Sequence, residues 1–107
     1  MERFKFDRKT TELFRAILAL KTVSEAEKFF RDLCTVKELE EMSERWQIVK
    51  LLDQGKTYRE IAKGLDSSTT TVGRVANWLI NGAGGYRLIL NRLAHHHNSL
   101  PIGKGLR

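Results

Sequence analysis

An all-α fold of about six helices is what this sequence predicts, and three observations predict it. Apolar residues recur at spacings of three and four along most of the chain, the period of a helix with one inward face. Ser or Thr repeatedly stands three residues before Glu, the pattern of a helix-opening capping box. Val, Ile and Thr alternate nowhere over a strand-like run, and the single proline, Pro101, lies beyond every candidate helix. With 107 residues, 41% of them apolar, the chain suits one all-helical domain with a modest core, expected over residues 1–97, followed by a flexible tail over 98–107.

Taken in order, Leu13, Phe14, Ile17, Leu18 and Leu20 carry the first helix. The second opens at Thr22 with Glu25 or at Ser24 with Glu27, and turns Ala26, Phe29, Phe30 and Leu33 inward. Thr35 with Glu38 opens a long third helix with Leu39, Met42, Trp46, Val49 and Leu52 inward; Gly55 sits where its C-cap belongs. The acids Glu40, Glu41 and Glu44 read as its solvated face. Thr57 with Glu60 opens the fourth helix, whose inward side is Ile61, Ala62 and Leu65, the small Ala62 letting another helix cross closely. Gly64 to Ser68 forms a turn in which Asp66, Ser67 or Ser68 caps the fifth helix. Val72, Ala76 and Leu79 share one side of that helix. The glycine-rich Asn81–Gly85 turns the chain, and Tyr86, Leu88, Ile89, Leu90 and Leu93 suggest a sixth helix.

Residues 57–80 thus read as a helix-turn-helix, a device for laying its second helix into the major groove of DNA. The outer side of that second helix carries Ser68, Thr69, Thr70, Gly73, Arg74 and Asn77. These are short donors and acceptors, a small residue permitting close approach, and a long cation able to fork onto guanine or grip a phosphate. The expected DNA contacts are Lys56, Thr57, Tyr58 and Arg59 at the first helix, and Ser67, Ser68, Thr69, Thr70, Thr71, Gly73, Arg74 and Asn77 at the second. Lys56, Arg59 and Lys63, with the basic C-terminal region, are expected to neutralise phosphates.

Charge supports double-stranded DNA as partner. The chain holds 19 Lys and Arg against 13 Asp and Glu, for a net charge of +6. All 13 acids lie at or before Asp66, whereas residues 67–107 hold five cations (Arg74, Arg87, Arg92, Lys104 and Arg107) and no acid. A basic field that begins at the reading helix suits a polyanion. One head contacts few base pairs, and the apolar stripes of the first helices exceed what a small reading head can cover. A homodimer placing two heads one helical turn apart (~34 Å) on an inverted repeat is therefore expected.

Other functions find little footing. The lone Cys34 forms no internal disulfide and suits a reducing cytoplasm. The start lacks the apolar stretch of a signal peptide, and no apolar run approaches the roughly 18 residues of a membrane helix. The His95–His97 run, without a second ligand cluster, is a weak metal signal, so no metal or cofactor is expected. Glycines 82, 84 and 85 come after a helix and precede no Gly-Lys-Ser/Thr, so they form no phosphate loop. No nucleophile elbow or paired-carboxylate arrangement appears, so the chain is not expected to be an enzyme. The alternative is a protein–protein docking module on the transcription or replication machinery, the threonine-rich helix being its contact patch.

The segment LCTVKELEEMSERWQIVKLLDQGKTYREIAKGLDSSTTTVGRVANWL resembles the core of the Trp repressor superfamily, and within it the Trp-repressor-related branch of YerC/YecD type. The resemblance rests on Leu33-Cys34-Thr35, Arg45, Gly55, Arg59-Glu60-Ile61, Thr71-Val72-Gly73-Arg74 and Asn77, and spans roughly residues 7 to 93. It implies a Trp-repressor-like bundle, an intertwined homodimer, and operator binding as a transcriptional regulator. It also implies an effector pocket at Thr35, Arg45, Arg74 and Trp78, the two arginines matching those that sandwich tryptophan in the repressor. Trp78 stands where the repressor has a small serine, and Asp32 where an apolar residue is expected. Both departures argue against tryptophan as co-repressor here.

Overall fold

The computed structural model describes residues 4–98, with side-chain surroundings through His95. Of the segment read as a tail, Asn98 ends the last helix and residues 99–107 lie outside the described residues, as do the side chains of His96, His97 and Asn98. Among the described residues there are six helices and no strand: α1 (Arg8–Leu18), α2 (Val23–Leu33), α3 (Val36–Asp53), α4 (Tyr58–Leu65), α5 (Thr69–Asn81) and α6 (Gly85–Asn98). The chain divides into two compact units, Met1–Ser43 and Glu44–Arg107, α3 beginning in the first and ending in the second.

In the first unit, short polar side chains set the helix starts. The Thr10 amide and hydroxyl both donate to Asp7 Oδ1 at 2.9 Å, opening α1 and holding the Asp7 carboxyl below its usual range. Of the two boxes offered for α2, Thr22 is the cap: its Oγ1 accepts from the Glu25 amide at 3.1 Å, while Glu25 accepts from the Lys21 amide at 2.8 Å. The Thr35–Glu38 exchange before α3 forms as expected. The apolar stripes do not end in a core, for none of residues 4–43 is buried. Leu18 is 82% exposed and Val23 77%, and Phe4, Phe6 and Phe14 cluster at ring separations of 4.9 and 5.8 Å while staying exposed. Phe14, Leu18 and Leu33, assigned inward from the sequence, are thus exposed: two short helices and the start of a third bury no core among the described residues of this unit. Leu20 lies past the end of α1.

The second unit holds the core. Ile48 and Val49 of α3, Ile61 and Ala62 of α4, Val72 and Val75 of α5 and Leu90 of α6 are buried together; Trp46, Leu52, Trp78, Leu79 and Tyr86 pack around them half-buried. Five of these side chains (Ile48, Val49, Ile61, Val72 and Val75) are fully enclosed, each worth about 1.5–3 kcal/mol over exposure. Ile48 and Val75, not assigned inward from the sequence, fit the same spacing, four before Leu52 and three after Val72. Gly55 adopts φ +85°, the left-handed turn that ends α3 and that a side chain would strain.

Candidate nucleic-acid interface

At the start of α4 the capping box is complete. Thr57 Oγ1 accepts from the Glu60 amide at 3.1 Å, and Glu60 Oε1 accepts from the Thr57 amide at 2.9 Å. The Thr57 amide, then its hydroxyl, then nearby Lys56 hold the Glu60 carboxyl below its ordinary value. Lys56, Arg59 and Lys63 are exposed around it.

The turn closes by a Schellman arrangement: the Ser67 amide reaches Ala62 O at 2.8 Å and the Asp66 amide reaches Lys63 O at 3.4 Å. Asp66 stands at φ +56°, ψ +46°, a left-handed position where glycine is usual and where a short acid is tolerated. Ser68, of the three candidates, caps α5. Its Oγ accepts from the Thr71 amide and donates to Thr71 Oγ1, both at 3.0 Å. The hydroxyls of Thr57, Ser68 and Thr71 thus serve the helix starts.

On α5, Val72, Val75 and Ala76 face the core, and Trp78 and Leu79 pack half-buried on it. Thr70, Gly73, Arg74 and Asn77, spaced by three, four and seven, share the opposite face. Thr70, Arg74 and Asn77 are exposed there, with Thr69 exposed beside them. Asn77 Oδ1 accepts from Asn81 Nδ2 at 2.9 Å, which orients the Asn77 amide and leaves its NH2 to donate. Asn81 is a supporting residue that periodicity does not single out. A Cβ at Gly73 would meet the Tyr58 ring at 3.9 Å, an ordinary contact, so the half-exposed tyrosine borders this spot. No acid lies on α5, and its amide end, with a partial positive charge, opens beside Thr69 and Thr70.

The residues offered as an effector pocket fare differently. Arg45 is half-buried on α3, Arg74 is exposed, and the Trp78 indole packs on the core cluster. Thr35 caps α3 within the first unit. An open depression of about 230 Å³ lies over Leu51, Lys56, Glu60, Ile61 and Gly64. Among the described residues no group of His, Cys, Asp or Glu could hold a metal, and no helix is long and apolar enough to cross a membrane.

Comparison with known proteins places this arrangement. The family model described as Trp repressor protein matches residues 8–94. The chain belongs to the Trp repressor family. It is 37% identical over 82 residues to the uncharacterised protein YerC of Bacillus subtilis (strain 168), covering 77% of this chain and 79% of that protein. It also resembles two solved structures. A TrpR-like protein from Eubacterium eligens ATCC 27750 superposes with a TM-score of 0.79 at 39% identity, covering 82% of this chain and 91% of the other. A Trp repressor candidate from Staphylococcus aureus does so with a TM-score of 0.78 at 40% identity, over 83% and 89%. The all-α, Trp-repressor-like fold and the YerC-type relationship expected from the sequence hold. The Trp repressor family is a regulatory, DNA-binding one rather than an enzymatic one.

Proposed function

We propose that this chain is a sequence-specific DNA-binding transcriptional regulator, acting as a repressor on an inverted-repeat operator. The observation that carries the reading is the outer face of α5. Thr70, Arg74 and Asn77 stand exposed on one side of a helix whose other side is anchored in the core, with no acid among them. In this reading Arg74 and Asn77 address base edges, Thr69 and Thr70 touch base edges or phosphate, and Lys56, Arg59 and Lys63 neutralise phosphates at the rim. The amide end of α5 adds a site for one phosphate.

Two heads serve this task better than one. The exposed apolar faces of α1 and α2 support a homodimer built through them, which covers those faces and sets the half-site spacing at one helical turn, ~34 Å. Tryptophan is not the proposed effector. The Trp78 indole packs on the core where the repressor has a small serine, and any small-molecule effector differs from tryptophan. The regulator works in the cytoplasm, where its operator is.

Selection of bound duplexes from a random library, followed by mobility shift, tests the proposal. An enriched two-fold-symmetric site is the expected result. No enrichment, with retention on RNA polymerase in the absence of DNA, would replace it with the docking-module reading.

A further inference from the structure

Among the cations beyond residue 66, Arg87 is already engaged within its own chain. Its Nη1 donates to Asp53 Oδ1 at 2.9 Å, joining the last residue of α3 to the third residue of α6. Each partner sits badly on its own helix. The carbonyl end of a helix is partly negative, and Asp53 adds a carboxylate to it; the amide end is partly positive, and Arg87 adds a cation. Local preference would choose the opposite charge at both positions, and the bridge between them relieves both conflicts at once. The same corner carries a second contact, the Trp46 and Tyr86 rings at 6.3 Å. Only Gly82, Ala83 and Gly84 join α5 to α6, and a Cβ on Gly82 would come within 2.3 Å of Trp78 O. With so short and tight a connection, holding the first turn of α6 also holds the last turn of α5.

We infer that Asp53 and Arg87 are a positioning pair for the reading helix, and that Arg87 contacts no phosphate. This rests on the DNA-binding reading, and it divides the basic C-terminal stretch into a structural cation and the rest. The pair fixes the C-terminal end of α5, and through it the angle at which Arg74 and Asn77 meet the groove.

The test uses the full chain, an operator obtained by selection, and three variants: Arg87→Gln, Asp53→Asn and the exchange D53R/R87D. Each single change should weaken operator binding about two- to fivefold, the range of a half-exposed pair, without altering the slope of log K against log salt. The exchange suits both helix ends, so it should recover affinity and melt no lower than the parent. Three results overturn the inference: a slope reduced by about one phosphate's worth in Arg87→Gln with no recovery in the exchange; an affinity raised by Asp53→Asn; or single variants that bind like the parent. If the parent binds no DNA, the regulator reading fails on its own account. Amide hydrogen exchange on the free protein then judges the pair. Faster exchange at the α5–α6 corner in both single variants, restored in the exchange, sustains it, and unchanged exchange rejects it.

Discussion

Arg74 stands exposed between Thr70 and Asn77, and nothing in the core depends on its side chain. Arg74→Ala should therefore leave thermal stability unchanged while costing about 1–3 kcal/mol of operator binding, read by mobility shift. Ser68 is the converse case, since its hydroxyl holds the start of α5. Ser68→Ala should lower unfolding free energy by about 1 kcal/mol in a denaturant titration. Ser68→Asp keeps a capping acceptor, so it should fold like the parent yet bind DNA less well, because it sets a carboxylate toward the phosphates. Glu60 gives a pH signature. Its carboxyl is held below the ordinary value by the Thr57 amide, so the stability it adds is present above the unfolded value and is lost as pH falls through the lower folded one. The melting difference between the parent and Glu60→Gln should accordingly be visible near neutrality and shrink as the pH falls below the ordinary carboxylate range. Much of the candidate site was legible at this scale because residue type and helical spacing suffice to place Thr70, Arg74 and Asn77 together. The Tyr58–Gly73 neighbourhood and the Asp53–Arg87 bridge were not, for each joins different helices and leaves no local periodic mark.

At the scale of elements, the helix starts were the most readable feature. Thr22, Thr35 and Thr57 each stand three residues before a glutamate, and their bonds span three or four residues, so the chain alone specifies them. The buried faces were only half readable. Val49 and Val72 stand on the named stripes, but Ile48 and Val75 are equally enclosed; Val75 comes three residues after Val72 and Ile48 four before Leu52, so both fit the same helical spacing and widen each stripe. The stripes of α1 and α2 were legible as apolar, but not as uncovered. The core assigns α4 a clear energetic role. Ile61 is its one fully enclosed large side chain, packed in the cluster that α3 and α5 share. Ile61→Ala should cost about 2–5 kcal/mol of stability in chemical denaturation, with DNA binding lost as the pair of helices loosens.

At the scale of the whole molecule, the acids end at Asp66 and the basic stretch begins beyond it, a division visible in the bare sequence. Binding should fall steeply with salt, log K dropping by about 0.9 per decade of salt for each phosphate neutralised; a flat line in a salt series would remove the phosphate contacts from the mechanism. The unburied helices of residues 4–43 have a thermodynamic corollary. If a second copy shields them, the native state is drawn together by mass action, and diluting the sample removes part of the force that keeps it folded. The midpoint of heat denaturation should then climb as the protein is concentrated, most clearly for probes placed near Phe14 and Leu18. The quantity of the protein present would in that way govern its endurance.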